Sequence, residues 1–381
     1  MKITQATIFP ISIPLIEPIK MAKEVIIDAK TVLLCLHDEE GRQGWGEASV
    51  APLMTGETLE SLMASVKYLV EKARAIEWNE PENFAKSFDA ILYGNPSAKS
   101  CLEMALLDLY TQKNSIALWK YLRASAVGIP LPEVAKIPLL RMLGGSLEKE
   151  VADAKSFREA GFKHWKIKVG SLTLDEDLHR VQVISELLEG DVISADANGA
   201  MSLEEAVRFC TSEAASKLSF AEQLIHADSR LEDFINLKQS SPIPIGLDES
   251  IHGEEEIEEF MKAKALDGAS LKLIKTGGVM AAWKSAQTLK VNNLKLNLAC
   301  KVAETSLAGA ATASIGFAIG DVPWGFSMSN QYLRFDICDR PLTANGGHLD
   351  IAQLDSVGVG VTPNLDRVKD AVAQDYSIIQ Y

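Results

Sequence analysis

Residues 164–170 read HWKIKVG, and the fold of the chain is best worked out from this stretch outward. Lys166 and Lys168 flank Ile167 in a short apolar segment that predicts a β-strand. Because alternate residues of a strand share a face, both lysine side chains point to the same side. Two like charges on one face of an apolar strand cost stability unless other groups interact with them. The partners of these lysines must therefore come from elsewhere in the chain.

Seven further strand-like segments occur along the chain, and amphipathic helices separate them. The eight predicted strands are residues 136–143, 164–170, 191–198, 218–225, 243–250, 268–276, 294–301 and 321–328. Eight strands that alternate with helices predict a closed parallel barrel. The alternative is an open doubly wound sheet, which normally has a glycine-rich phosphate turn after its first strand. The corresponding segment here, RMLGGS at 141–146, matches that turn poorly.

The segment before the barrel predicts a separate α+β domain. Residues 1–50 alternate in short apolar and polar runs, which predicts antiparallel strands with turns at Pro18 and at DEEG, residues 38–41. Helical spacing of apolar residues then predicts one helix from Thr58 to about Ile76 and another from Ser97 to about Lys113. We therefore expect a first domain at 1–130, a barrel at 131–340, and a C-terminal segment at 341–381 that packs back on the first domain.

Composition limits the classes of partner and the expected location. The 381 residues carry a net charge of −14 without a Lys/Arg-rich run, which argues against nucleic acid as a partner. Five scattered cysteines without a CxxC motif predict a reducing, cytoplasmic location. No apolar run approaches the roughly 20 residues of a membrane-spanning helix, so we expect no membrane partner. We expect a small-molecule partner and, because barrels of this kind often assemble, a homo-oligomer.

Charged residues recur at the predicted carboxyl ends of successive strands, where parallel barrels carry their chemistry. Neighbouring positions lie 24 to 28 residues apart, which is one strand-and-helix unit. In chain order they are Lys166 with Lys168, Asp196, Glu222, Asp248 with Glu249, and Lys272. Single residues of this kind are often helix caps or surface lysines. The shared register across five strands instead predicts that the side chains converge on one site.

The three acids Asp196, Glu222 and Asp248 predict a metal site. Three carboxylates in a partly buried barrel mouth need a cation to remain ionised together. Oxygen ligands suit Mg²⁺, with Mn²⁺ as a possible substitute. No His or Cys stands beside these acids, so zinc is disfavoured.

The lysines on either side of the acids predict proton transfer. A substrate carboxylate at the metal would place its α-carbon between Lys168 and Lys272. Lys168 could then act as the base that removes the α-proton, while Lys272 faces the opposite side. The metal and Lys166 would stabilise the resulting enolate. A carboxylate substrate is therefore expected.

The motifs KIK, DAN, EQ, DES and KLIKTGG together resemble the enolase superfamily in its muconate-lactonizing subgroup. GWGEA, MTGET and the tail VGVGVTPNLDRV extend the resemblance over nearly the whole chain. The resemblance implies an N-terminal α+β capping domain, a (β/α)7β barrel and Mg²⁺. It places metal binding on Asp196, Glu222 and Asp248, acid–base roles on Lys168 and Lys272 with help from Lys166, and supporting roles on Asn198 and Glu249. The mandelate-racemase branch is disfavoured because its His, near strands six and seven, has no counterpart here.

The family shares α-proton abstraction, and its members differ in the steps that follow. We favour a racemase or epimerase of an N-modified amino acid, with a muconate-type cycloisomerase or an o-succinylbenzoate-synthase-type dehydratase as alternatives. Dipeptide epimerases resemble the chain at MTGET, but their Asp-x-Asp at the end of strand eight is replaced here by Ser327 and Ser329, so this activity ranks lower. A non-catalytic small-acid binder is the alternative from another class.

Further candidate residues concern specificity. Lys301 stands at the end of strand seven, where the family often has a small residue, and could hold a second anionic group or a carbonyl oxygen. Glu304 could pair with Lys301 or begin the next helix. The predicted capping loops are residues 16–26 and 49–56. Within the first of them, Lys20 and Lys23 predict a positive lid that suits a dicarboxylate or an acylated amino acid.

Overall fold

The N-terminal part of the chain forms an antiparallel sheet. The structure, a computed structural model, describes residues 1–20, 25–126, 128–302 and 304–381. In this four-stranded sheet the first three strands pair in chain order, and the last strand of the chain pairs with the first. Its strands are β1 (Ile3–Lys20), β2 (Val25–Asp38), β3 (Gln43–Ser49) and β14 (Ile379–Gln380). Strands followed by helices were predicted for this region, and the structure confirms that order.

Of the two turns predicted for this sheet, the structure contains the one at DEEG but not the one at Pro18. The DEEG turn is present, since Asp38 Oδ1 accepts hydrogen bonds from the backbone N–H groups of Glu40 and Arg42 between β2 and β3. The prediction of a turn at Pro18 was wrong, because β1 continues to Lys20, which pairs with Val25. The register between β1 and β2 instead shifts after Pro14. Proline lacks the N–H that a strand ladder needs, so it is tolerated where the pairing is interrupted.

Four helices follow the third strand, and the first and third of them pack on the N-terminal sheet. The four helices are α1 (Leu59–Ala73), α2 (Phe84–Ile91), α3 (Pro96–Lys113) and α4 (Leu118–Ser125). The GWGEA motif lets α3 approach β3 closely: a Cβ atom at Gly46 would lie 2.0 Å from the carbonyl oxygen of Cys101. Any side chain at Gly46 would push the helix off the sheet, so this glycine is required by packing.

Eight parallel strands form the second sheet, and neighbouring strands in the sheet are also consecutive in the chain. A parallel bridge between Leu139 and Phe326 joins its first and last strands. The closed barrel is therefore confirmed, and the open doubly wound sheet is wrong. The strands are β5 (Leu140–Leu143), β6 (His164–Lys168), β7 (Val192–Asp196), β8 (Phe220–Glu222), β9 (Ile245–Leu247), β10 (Gly268–Leu271), β11 (Lys295–Ala299) and β12 (Phe326–Ser327).

A helix follows each barrel strand except the last, which gives the expected (β/α)7β arrangement. The helices are α5 (Leu147–Glu159), α6 (Leu174–Leu187), α7 (Leu203–Thr211), α8 (Leu231–Ser240), α9 (Glu254–Lys262), α10 (Leu273–Thr276) with α11 (Val279–Val291), and α12 (Ser306–Ile319). Several begin with side-chain caps, for example Thr173 and Ser202, each in a capping box with a glutamate three residues later.

The first predicted barrel strand, residues 136–143, divides into two strands. Its first part, β4 (Lys136–Pro138), leaves the barrel and pairs antiparallel with β13 (His348–Asp350). Only β5 joins the barrel. Pro138 marks the division, since it cannot donate a ladder hydrogen bond.

The C-terminal segment runs back across both parts of the chain. Beyond β13 it contains α13 (Leu365–Asp370), and β14 pairs with β1 at Thr7 and Ile8. In addition, the backbone N–H of Ser12 donates to the carbonyl oxygen of Ala371 at 2.8 Å. These contacts agree with a C-terminal segment that packs on the N-terminal sheet. The domain division at 1–130, 131–340 and 341–381 stays a proposal. In the described parts of the chain, no helix has both the length and the apolar character needed to cross a membrane.

Candidate active site

The charged residues predicted to converge lie side by side at the carboxyl ends of the barrel strands. In the sheet register Lys168 on β6 is paired with Asp196 on β7, which is paired with Glu222 on β8. Asp248 directly follows β9, and Lys272 directly follows β10. The register itself therefore brings these side chains to one end of the barrel, as the spacing predicted.

The two lysines of the HWKIKVG segment bind two different carboxylates. Lys166 Nζ lies 2.7 Å from Glu222 Oε1 and 3.5 Å from Asp196 Oδ2. Lys168 Nζ lies 2.6 Å from Asp196 Oδ2 and donates to Asn198 Oδ1 at 2.8 Å. The like charges on one strand are thus stabilised by acids from the next two strands.

Asp248 is bound by two lysines, and only one of them was predicted. Lys272 Nζ donates to Asp248 Oδ2. Lys275 Nζ lies 2.5 Å from Asp248 Oδ1, and it also donates to the Asp248 and Ser270 carbonyl oxygens. Lys275 stands within the KLIKTGG motif, three residues after Lys272, and the single helical turn of α10 brings both amines to one carboxylate.

Polar side chains from neighbouring loops hold this cluster in position. Asn198 accepts from Lys168 and donates to Glu249 Oε1 at 2.9 Å, so the two predicted supporting residues are bonded to each other. Gln223, which was not predicted, accepts from the backbone N–H groups of Asp248 and Ser250 at 2.9 and 3.2 Å. Asn198 and Gln223 both have positive φ angles, 45° and 37°, a strained conformation that often accompanies functional sites.

Burial and ion pairing move the pKa values of these acids in opposite directions. Burial acts to raise the pKa of Asp248, but the ammonium groups of Lys272 and Lys275 outweigh burial and hold it far below its ordinary value. Burial raises the pKa of Glu222, and the nearby Lys166 only partly opposes this. Burial acts to lower the pKa of Lys166, but the carboxylates, Glu222 first, raise it. Lys166 is therefore held as an ammonium group.

The site offers oxygen ligands for a cation, although the acids are bound to lysines. In the described part of the chain, no three acid, His or Cys side chains form a ready-made metal-binding group. Glu222 Oε2, however, is buried without a hydrogen-bond partner. A buried carboxylate oxygen that lacks a partner is costly, and a cation would relieve that cost. The lysines leave this oxygen without a partner. A Mg²⁺ ion bound by Glu222 and the carboxylates on either side would provide one.

A cleft of about 70 Å³ lies over the cluster, between the barrel mouth and the N-terminal part of the chain. Its lining includes Met54, from the predicted capping loop 49–56. Of the predicted site residues, the cleft is lined by Lys166, Lys168, Asp196, Asn198, Asp248, Lys272, Lys301, Ser327 and Ser329. Ile16–Ile19, from the other predicted capping loop, line a second cavity next to the cleft.

Two of the predicted specificity residues, Glu304 and Ser329, form hydrogen bonds near the end of β11. Glu304 accepts from Ser49 Oγ at 2.8 Å and from the backbone N–H of Lys301 at 3.0 Å, so it joins the N-terminal sheet to the end of β11. Ser329 Oγ donates to the carbonyl oxygen of Lys301 at 2.8 Å. Lys23 lies outside the described residues. For Lys20 the structure describes the backbone alone.

Comparison with known proteins identifies the class to which this barrel belongs. Residues 3–122 match the family model described as "Mandelate racemase / muconate lactonizing enzyme, N-terminal domain", and residues 149–367 match "Enolase C-terminal domain-like". The chain therefore belongs to the mandelate racemase/muconate lactonizing enzyme family of the enolase superfamily. This membership confirms the resemblance seen in the sequence. The protein is an isomerase or a lyase of that superfamily.

Individual relatives span almost the whole chain. The chain is 24% identical over 365 residues to the L-Ala-D/L-Glu epimerase of Bacillus subtilis (strain 168), covering 94% of this chain and 97% of the relative. It is 25% identical over 324 residues to an N-succinyl-L-Arg/Lys racemase of Bacillus cereus, covering 84% and 85%. A crystal structure of a dipeptide epimerase from Cytophaga hutchinsonii, complexed with Mg and the dipeptide D-Ala-L-Val, has the same fold, with a TM-score of 0.87, 22% identity and complete coverage of both chains.

Proposed function

We propose that this protein is a Mg²⁺-dependent racemase or epimerase that acts on an N-modified amino acid. One lysine removes the α-proton of the substrate, and a second lysine returns a proton to the opposite face. Asp196, Glu222 and Asp248 are the proposed metal ligands. Mn²⁺ is a proposed substitute for Mg²⁺, since both ions accept oxygen ligands.

The placement of Lys168 and Lys272 carries this proposal. Lys168 is the last residue of β6, and Lys272 follows β10. Three strands separate β6 from β10 in the eight-stranded barrel, so the two amines approach from opposite walls. Both line the same cleft, with the three acids between them in strand order. An α-carbon held in this cleft would have one amine on each face, which two-base racemisation requires.

The proposed reaction consists of two proton transfers, one on each face of the α-carbon. Once Lys168 has released its ammonium proton to solvent, its amine takes the α-proton, and the electron pair of the broken C–H bond remains on the substrate as an enolate. The ammonium group of Lys272 then donates a proton to the other face, and the two lysines exchange roles for the other enantiomer. Lys166, which is held as an ammonium group, stabilises the negative charge of the enolate. When bound, Mg²⁺ would supply further positive charge next to the substrate carboxylate.

The end of β12 supports an acylated rather than a free amino group. A free ammonium group would need a carboxylate nearby, but Ser327 and Ser329 stand at this position. Among the described residues that line the cleft, the only acids are Asp196 and Asp248, both in the proposed metal site. An N-acyl nitrogen carries no charge and needs no such partner. The C. hutchinsonii relative is a dipeptide epimerase, so the substrate test must include dipeptides.

The test is α-proton exchange in D₂O followed by NMR, with Mg²⁺ present. The panel contains N-succinyl and N-acetyl amino acids, dipeptides and muconate-like diacids. Exchange with inversion of an N-acyl amino acid supports the proposal. Exchange without inversion, or consumption of the compound to a new product, would replace it with dehydration or cycloisomerisation. Absence of exchange on every compound by a protein that binds Mg²⁺ would show that the substrate lies outside these compound classes, and would refute the proposed substrate.

Two variants test the assigned roles separately. Lys168→Ala should abolish exchange from one enantiomer and retain some exchange from the other, and Lys272→Ala should do the reverse. Both variants should keep Mg²⁺ affinity within a few-fold of the wild-type value, because neither lysine is a metal ligand. Unchanged exchange of both enantiomers in either variant would refute the two-base assignment. The homo-oligomeric state and the cytoplasmic location stay predictions.

A further inference from the structure

A second cavity adjoins the cleft on the side of Lys168. Its volume is about 320 Å³, and it lies between residues 16–19, the end of β5 and α5. The cavity and the cleft share the wall residues Met142, Lys168 and Tyr332. A substrate whose α-carbon is next to Lys168 can therefore extend a substituent into this space. We call it the outer cavity.

Arg141 is one of the charged residues in the wall of the outer cavity. Its guanidinium group lies 3.9 Å from the ring centre of Phe157 and 4.9 Å from that of Tyr332. Its Nη1 donates to Gln331 Oε1 at 2.6 Å, and Gln331 is itself held by a bond to the carbonyl oxygen of Met328. The two rings and the amide thus hold the arginine in one orientation, which reduces the entropy lost when a ligand binds.

The charge of Arg141 is not neutralised within the described residues. None of their carboxylates lies within 4.0 Å of its guanidinium group, and its buried Nε has no hydrogen-bond partner. Lys149, in the same wall, is different because Glu17 and Asp153 lie 3.2 and 3.0 Å from its amine. The outer cavity therefore contains one fixed positive charge that lacks an acidic partner.

We propose that the outer cavity binds the distal end of the substrate and that Arg141 receives a carboxylate there. This inference rests on the proposed function, because it takes the reacting α-carbon to lie next to Lys168. A planar guanidinium group binds a carboxylate through charge-assisted hydrogen bonds, which are stronger than bonds between neutral groups. The carboxylate has two possible sources: the far end of a dicarboxylic N-acyl group, or an acidic amino-acid side chain.

Matched ligand pairs separate the two sources. The first pair is N-succinyl-L-norvaline and its terminal amide, which differ only in the charge at the end of the acyl group. The second pair is N-acetyl-L-glutamate and N-acetyl-L-glutamine, which differ only in the side chain. Dissociation constants are measured by calorimetry with Mg²⁺ present. We expect the wild-type protein to bind the charged member of one pair at least ~10-fold more tightly than its neutral partner.

Three variants show whether Arg141 causes this preference. Arg141→Met removes the charge but keeps an apolar side chain between the two rings, so the preference should disappear while the neutral ligand binds within about twofold of wild type. Arg141→Lys keeps the charge without the planar group and should retain part of the preference. Lys155→Met, at an exposed position of α5, removes a charge outside the cavity and should leave the preference intact.

Two results would overturn the inference. One is a wild-type protein without a charge preference in either pair. The other is an Arg141→Met variant that loses affinity equally for charged and neutral members, since that would mark Arg141 as a structural residue alone. The proposed function is judged separately by α-proton exchange. An Arg141-dependent preference without exchange would refute the proposed function only, and exchange without a preference would refute the inference only.

Discussion

Glu304 allows a quantitative test of how the N-terminal sheet and the barrel are joined. Its carboxyl group is buried between Ser49, on β3, and Lys301, at the end of β11. Burial, with a smaller contribution from the charge of Glu47, raises the pKa of Glu304 from 4.5 to about 8. The substitution Glu304→Gln removes this ionisable group. The amide can keep both contacts, with its oxygen accepting from Lys301 N–H and its NH₂ donating to the Ser49 hydroxyl oxygen.

The sign and size of the effect follow from proton linkage. The folded protein favours the protonated carboxyl, whereas the unfolded chain ionises it near pH 4.5. The contribution of Glu304 to stability is therefore fully present below pH 4.5 and is lost as the pH rises towards 8. At about 1.4 kcal/mol per pKa unit, the whole shift corresponds to about 5 kcal/mol. Between pH 5.5 and 7.5 the wild-type free energy of unfolding should lose about 2.5 kcal/mol from this residue.

The assay is urea unfolding of the wild-type and Glu304→Gln proteins at pH 5.5, 6.5 and 7.5. The variant lacks the ionisable group, so its stability relative to wild type should rise by about 2.5 kcal/mol across this range. Glu159→Gln, at an exposed position, serves as the control and should show no such trend. If the stability difference between Glu304→Gln and wild type stays constant with pH, the pKa of Glu304 is not raised in the folded protein.

Three further predictions concern the site itself. Asp248→Asn should lower Mg²⁺ affinity by at least ~10-fold in calorimetry and abolish α-proton exchange, because it removes a proposed metal ligand; wild-type affinity would contradict the ligand assignment. Lys275→Met should lower the melting temperature by several degrees, since it removes charge-assisted bonds to Asp248 and Ser270 worth about 1.5–3 kcal/mol each. Added Mg²⁺ should raise that temperature more in this variant than in wild type, because the cation replaces the lost ammonium charge; an equal rise would contradict this. Chelation with EDTA should abolish exchange, and Mg²⁺ or Mn²⁺ should restore it; exchange that persists in metal-free protein would refute a metal-dependent reaction.

The site could be predicted from the sequence because it depends on a repeat. Lys168, Asp196 and Glu222 are one strand-and-helix unit apart, and parallel pairing turns that spacing into direct neighbours in the sheet. The same spacing placed Asp248 and Lys272 in the barrel mouth. The positions of these residues follow from the spacing of the strand-and-helix units and from the barrel topology. No knowledge of side-chain packing is needed.

Other contacts could not be predicted because they join segments with no common spacing. Glu304 meets Ser49, a residue 255 positions away in the chain, and Arg141 meets Gln331, which is 190 positions away. Lys275 was visible in its motif, but its partner depends on the turn of α10, which brings the amine back to the end of β9. Pro18 indicates a turn in local statistics, but Ile19 and Lys20, which follow it, pair with β2 and keep the chain extended.

The order of strands and helices and the positions of the barrel-end charges were determined by the sequence alone, since apolar periodicity and residue spacing are local properties. The closure of the barrel between Leu139 and Phe326, the pairing of each lysine with its acid and the shape of the outer cavity were decided only by the tertiary structure. The physical reason is that ion pairs and cavities depend on distances of a few ångströms between distant segments. Those distances are determined when the whole barrel packs.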